Sequence, residues 1–157
     1  MTTTLEANVQ RLVDIEDIKI LKLRYARYCD DNYDPEGIAS CFTADGIWDG
    51  GPLGHAESHD GIKAFFAATP SIVLFAVHYT TNPIIEVADD TATGTWYLWQ
   101  PMVLVAEQQA MWLAAHYHER YRREDDRWLI EHLKLDVKRF SPYEAGFGQV
   151  QIADLPT

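Results

Sequence analysis

The sequence predicts an α+β domain, with N-terminal helices lying on a strongly curved, mostly antiparallel sheet and a pocket enclosed between them. Three observations carry this. Residues 14–31, DIEDIKILKLRYARYCDD, repeat apolar side chains at helical spacing. From about residue 72 the apolar period changes from 3.6 to 2. The four long segments that follow are joined by short polar links, which makes neighbours antiparallel. Helices packed on one face of such a sheet form the α+β class, and curvature turns the space under the first helix into a cavity.

Taken in order, residues 1–10 read as a frayed lead-in or as the first helical turns, in which case Thr3 or Thr4 is the cap, with Glu6 close behind. Ile18, Leu21, Tyr25 and Tyr28 or Cys29 form its apolar stripe. Lys19, Lys22 and Arg24 with Glu16 and Asp17 form much of its polar side. The helix runs to about Asp31. NYDPEG at 32–37 ends it, because the residue before a proline is biased out of the helical region. Pro35 opens a short second helix that turns Ile38, Ala39 and Phe42 to the core. Asp45-Gly46 reads as a turn, 47–49 as a short strand, and 50–60 as a glycine-rich loop. Asp60 caps a third helix over 61–68, with Phe65 and Phe66 inward. Strands follow at 72–88, 92–106, 110–123 and 127–140, the first divided at Pro83 by a bulge, bend or sheet edge. The last 15 or so residues, with Tyr143, Phe147, Ile152 and Leu155, read as a tail draped on the body, over the pocket or toward a partner subunit.

Composition narrows the function. A chain of 157 residues is one ordinary domain, here taken as 1–157 with its core at about 10–140. With 24 acidic against 13 basic residues its formal charge is −11, which excludes tracking a phosphate backbone; no nucleic-acid partner is expected. The group Arg120, Arg122, Arg123 is followed at once by Glu124, Asp125, Asp126, as in a solvated hairpin. No stretch is both apolar and long enough to span a membrane, and MTTTLEANVQ lacks the features of a signal peptide. Cys29 and Cys41 have no CxxC spacing and read as buried free thiols. The expectation is a soluble cytoplasmic protein. The chain has no GxSxG elbow, dinucleotide fingerprint or phosphate loop.

The histidines differ in kind. His55 and His59 are spaced i, i+4 in the glycine-rich loop, but without an HExxH context no metal is expected. His132 reads as structural. His78 interrupts an apolar strand, SIVLFAVHYTTN, so it must be hydrogen-bonded or face a polar pocket. His116 and His118 share one face of the third strand, and Tyr117, Glu119 and Tyr121 share the other. Only one of these faces lines the cavity, and the pattern does not decide which. Asp30 ends a helix, where a carboxylate is poorly placed for the dipole. That placement is tolerated if Asp30 orients an imidazole, and such a pair makes a good general acid or base.

The opening helix together with HYTTNPIIEV, TATGTWYL and AAHYHERYRREDDRWLI resembles the SnoaL-like branch of the nuclear transport factor 2-like (NTF2-like) superfamily over residues 10–140. The resemblance implies a cone-shaped α+β barrel. In pattern the chain is similar to bile-acid 7-alpha-dehydratase and scytalone dehydratase, which pair a histidine with a helix-terminal aspartate to remove water near a carbonyl. Carried over, His78 is the base, Asp30 its partner and Tyr25 a pocket tyrosine. His116 or Tyr117 falls near a further donor, and Lys138 or Arg139 near a basic residue at the end of the last strand. Trp48 stands where the dehydratases use a tyrosine. With Tyr28 and Phe65, these residues line the expected substrate site for a small apolar ring compound.

The activity implied by this resemblance is that of a cofactor-independent dehydratase, with no metal. The alternatives are a double-bond isomerase, a non-catalytic small-molecule binding domain, or an assembly protein like the small subunit of a ring-hydroxylating dioxygenase. The resemblance also implies a homo-oligomer, dimer or trimer, through the outer sheet face. Trp96 or Tyr97, Trp99, Trp112 and Trp128 suit that face, and equally suit plain core packing.

Overall fold

A computed structural model describes residues 4–154; Thr3 and Leu155 lie outside the described residues. Helix α1 spans Leu5–Asp30, and its first turn is capped by the Thr4 hydroxyl, which accepts from the Ala7 N–H at 3.2 Å. Its buried side comprises Asp14, Ile18, Leu21, Lys22, Tyr25, Ala26 and Cys29. Cys29, not Tyr28, therefore completes the stripe. Lys22 is a correction to the expected polar side, since it is wholly buried. Helix α2, Pro35–Ala39, follows, with Pro35 in its first turn and the Asp34 side chain as its cap.

Strand β1 is Phe42–Asp49, and Asp45-Gly46 lies inside it as an irregularity of register, not as a free turn. The expected loop at 50–60 contains strand β2, His55–Glu57. It also holds the start of helix α3, Ser58–Ala68, so Asp60 sits in the first turn and is not the cap. The remaining strands are β3 (Val73–Ala76), β4 (Tyr79–Ala88), β5 (Thr91–Leu104), β6 (Ala110–Glu124) and β7 (Arg127–Pro142), followed by the short helix α4, Gly146–Gln149.

The seven strands form one sheet in the order β2-β1-β7-β6-β5-β3, with β4 also paired to β5. All pairings are antiparallel except β1 with β7. The sheet is large and curved but does not close on itself, so the barrel is open. A bulge does fall at Pro83, between Thr81 and Ile84. Val77-His78 separates β3 from β4, with the register on β5 the same on both sides, from Ala76↔Met102 to Tyr79↔Trp99. Among the described residues no helix is long and apolar enough to cross a membrane.

Alternation along β6 separates the two faces. Met111, Leu113, Ala115, Tyr117, Glu119 and Tyr121 are buried against the helices, while Trp112, Ala114, His116, His118 and Arg120 face outward. Ile18, Leu21, Ile38, Phe42, Ile130 and Leu133 fill the space between α1, α2 and this inner face. Each such side chain contributes about 1.5–3 kcal/mol. The N-terminal half of α1 is pinned to the β6–β7 hairpin, where Asp14 Oδ1 accepts from Arg123 at 2.8 Å and from the Trp128 indole at 3.3 Å.

Three expected site residues are corrected here. His116 stacks flat on Tyr97 at 4.5 Å on the outer face, because it is out of phase with Tyr117. Arg139, opposite the outward Ala114, turns back to the Lys138 carbonyl at 2.6 Å. Tyr28 packs against Gly37 of α2 and faces the outside of α1. Trp96 and Trp128 are buried, which leaves Tyr97 and Trp99 as exposed aromatics. The tail covers part of the outer face: Tyr143 packs on Trp112 at 5.1 Å and Phe147 on Trp99 at 5.7 Å.

Candidate active site

The end of α1 and the break between β3 and β4 meet at one point. Val77 still donates its N–H to the Pro101 carbonyl of β5 at 3.2 Å, while the next N–H, that of His78, donates to Asp30 Oδ1 at 3.0 Å. The same oxygen lies 2.7 Å from His78 Nδ1. A carboxylate beside Nδ1 requires the proton on that nitrogen, which leaves Nε2 as the basic atom of the neutral ring. The His78 side chain is 7% exposed and that of Asp30 is 30% exposed, so the imidazole is enclosed while its carboxylate keeps contact with water.

His78 borders a cavity of about 110 Å³ between α1, α3 and the inner face of the sheet. An apolar cavity of about 150 Å³ holds one benzene ring, so this one, being smaller, takes a single ring with a modest movement of its walls. Those walls are mainly aromatic: Tyr25, Tyr33, Trp48, Phe65, Phe66 and Tyr117 all line it. Trp48 and Phe65 are in contact at 4.6 Å, and Tyr33 stacks on Phe66 at 6.0 Å while meeting the His78 ring edge-on at 6.1 Å. Gly54, at φ 133°, leaves room for Phe65, which a Cβ would approach to 2.6 Å.

Polar groups on these walls are few. The Trp48 indole N–H donates to the Tyr25 hydroxyl at 3.0 Å, and the same hydroxyl shares a side-chain hydrogen bond with Cys29. Burial pushes the Tyr25 and Tyr117 hydroxyls well above the usual phenol range, so both are neutral donors. Burial likewise raises the Cys29 thiol, which lines the cavity as a thiol and not as a nucleophile. Gln100 is buried in the wall, and its amide donates to the Met102 sulfur at 3.7 Å.

The structure thus brings Asp30, His78, Tyr25, Trp48, Phe65 and Tyr117 to one site and leaves His116, Tyr28 and Arg139 outside it. Tyr33, Gln100 and Met102 were not anticipated. Gln100 and Met102 are in phase with the inward Trp96 and Leu98, so strand periodicity contained that signal. Tyr33 had none, since it enters the cavity from a left-handed turn at φ 56°. A wider groove of about 890 Å³ runs along the outside of α1 past Ile20, Leu23, Arg24 and Arg27, and touches the site only at Asp30. His55 pairs with Glu57 at 2.9 Å and His59 with the Phe42 carbonyl at 2.9 Å. Among the described residues no three His, Cys, Asp or Glu side chains converge on a metal position.

Known structures of the same shape include a hexachlorocyclohexane dehydrochlorinase, LinA type 2, with a TM-score of 0.81 at 23% identity over 86% of this chain and 92% of that one. A scytalone dehydratase-like protein from Novosphingobium aromaticivorans has a TM-score of 0.79 at 20% identity over 94% and 95%. The LinA type 3 dehydrochlorinase from Novosphingobium barchaimii LL02 has a TM-score of 0.79 at 24% identity over 96% and 99%. At such identities the likeness establishes the fold. Among curated proteins none matches the sequence. The SnoaL-like domain family matches residues 10–134, the region that carries α1, the dyad and most of the sheet, and the chain therefore belongs to the SnoaL-like family of the NTF2-like superfamily.

Proposed function

We propose that the protein is a cofactor-independent proton-transfer enzyme, a dehydratase acting on a hydrophobic ring compound that bears a carbonyl and a hydroxyl. The observation that carries this is the 2.7 Å contact of His78 Nδ1 with Asp30 at the edge of an aromatic cavity. Family neighbours named as dehydratase and dehydrochlorinase support it, since both names denote loss of a small molecule.

In the reaction so read, His78 Nε2 takes a proton from the carbon next to the carbonyl. The C–H electron pair moves into the ring, and the carbonyl oxygen becomes an enolate oxygen. The Tyr25 or Tyr117 hydroxyl donates to it as the charge develops. The electrons then return, the C–O bond at the neighbouring carbon breaks, and the His78 imidazolium gives its proton to the departing hydroxide, releasing water. Delivery of that proton to a different carbon is double-bond isomerisation, the second reading of the same geometry. The reducing cell interior suits the two free thiols, Cys29 and Cys41, and is the compartment proposed. Exposed Tyr79, Tyr97 and Trp99 on the outer face suit pairing of copies, which light scattering measures directly.

The test is α-proton exchange in deuterated water, read by NMR on 3-hydroxycyclohexanone, together with absorbance of the cyclohexenone that water loss would form. Exchange with water loss, both abolished in His78→Gln, is the expected result. Exchange without water loss selects the isomerase. Binding without exchange reduces the protein to a binding domain, and full activity in His78→Gln would overturn the dyad.

A further inference from the structure

Lys22 has no part in the chemistry just described, yet it is one of the most enclosed side chains in the molecule. Its side chain and that of Glu119 are both 0% exposed, and they form an ion pair. Glu119 takes Lys22 on one oxygen and the Tyr121 hydroxyl on the other, and Tyr121 in turn accepts from the Trp96 indole at 2.9 Å. The Lys22 Nζ lies 3.3 Å from the centroid of the Tyr117 ring and 4.7 Å from that of Tyr25. Neither Lys22 nor Glu119 lines the cavity, but both of these tyrosines do.

A buried ion pair is weak evidence of stabilisation, because well-packed apolar residues of similar volume often serve the fold equally well. Burial pulls the Lys22 ammonium below the usual lysine value, and the facing Glu119 carboxylate opposes that fall. The placement is polarised: the cation stands against the two tyrosine rings, while the carboxylate lies two residues further along β6 and is occupied by two donors. A positive charge on the face of a phenol draws electron density from the ring and strengthens its O–H as a donor. Fixed charge of this kind acts most strongly where water is excluded.

We propose that Lys22 is a positioning residue which, from beneath Tyr25 and Tyr117, holds both rings and biases their hydroxyls toward an anion in the cavity. This rests on the reading that an enolate-like anion forms there, and it names the source of the favourable field. The charged and titratable groups around such an anion are His78 and Asp30 at its edge, Tyr25, Tyr33, Tyr117 and Cys29 in the wall, and the Lys22–Glu119 pair below.

Para-nitrophenol is a suitable probe, because its phenolate imitates an enolate and absorbs apart from the neutral form. The wild-type protein is compared with Lys22→Met and with the double variant Lys22→Met/Glu119→Gln, which removes both charges and leaves no unpaired ion. All are read at one pH. The expected result is a bound phenolate-to-phenol ratio lower by about tenfold in the double variant, equivalent to one pK unit, with thermal unfolding and the His78 ring signals kept. A folded double variant whose ratio stays within twofold of wild type overturns the proposal. No binding of the probe by the wild-type protein overturns it together with the ring-compound reading. A ratio that falls as expected in a protein without α-proton exchange sustains Lys22 as an anion-tuning residue and removes only the enzyme reading.

Discussion

Replacing Asp30 by asparagine isolates the charge of the dyad from its geometry. The asparagine side-chain oxygen still accepts from the His78 N–H and from Nδ1–H, now held at 3.0 and 2.7 Å, so the ring keeps its place. What is lost is the attraction between the carboxylate and the imidazolium formed on proton abstraction. With charge centres about 4 Å apart, an effective dielectric of about 20 gives roughly 4 kcal/mol. Asp30 is 30% exposed, and water screens part of that. A range of about 2–4 kcal/mol remains, or roughly 30- to 1000-fold in rate. The assay is the α-proton exchange rate on a saturating ring ketone, with ligand affinity and thermal unfolding measured on the same sample. A rate within about threefold of wild type would refute the reasoning. So would a loss matched by unfolding, because the argument is electrostatic and leaves the fold intact.

Other expectations concern residues around the site. His116→Ala leaves exchange and ligand binding unchanged and costs about 0.5–1 kcal/mol from the lost stack on Tyr97; a fall in exchange rate with the fold intact would restore His116 to the site. Gly94→Ala brings a Cβ to 2.8 Å from the Tyr121 ring, beneath which lies the Glu119 network, so calorimetry should show a loss of about 1–3 kcal/mol. Burial alone would raise the Asp14 carboxyl, but hydrogen bonds from Arg123, Gln10 and Trp128 outweigh it and hold the group below its usual 3.8. A depressed carboxylate stabilises the fold above its unfolded value and loses that contribution as pH falls through the folded one. Asp14→Asn should therefore cost about 1–3 kcal/mol at neutral pH and flatten the stability profile below roughly pH 4. Urea titrations on both sides of that pH check both parts.

Much of the scaffold was legible because its signals are local. The α1 stripe, the DP stop at 34–35 and the period-2 strands depend on residues within a few positions of one another. The site is different, since Asp30 and His78 are 48 residues apart and meet through a strand break that periodicity does not mark. Family resemblance placed that pair, and the same resemblance left His116 and Tyr117 unresolved, because both faces of β6 carry aromatic neighbours. The outer face has Tyr97, Trp99 and Trp112, and so does not look solvent-facing by composition.

A physical clue to the face of β6 was present in two residues that each look misplaced. Glu119 falls in phase with Tyr117 and Tyr121, and Lys22 falls beside Leu21 and Tyr25 on the buried side of α1. Taken separately, each argues that its own face is wet. An inward Glu119 is tolerable only with a cation brought to it, and an inward Lys22 only with a carboxylate. The pair, 97 residues apart, satisfies both conditions at once. It fixes the tyrosine face of β6 as the inner one, because the alternative register would bury His116 and His118 and leave Lys22 without its counter-ion.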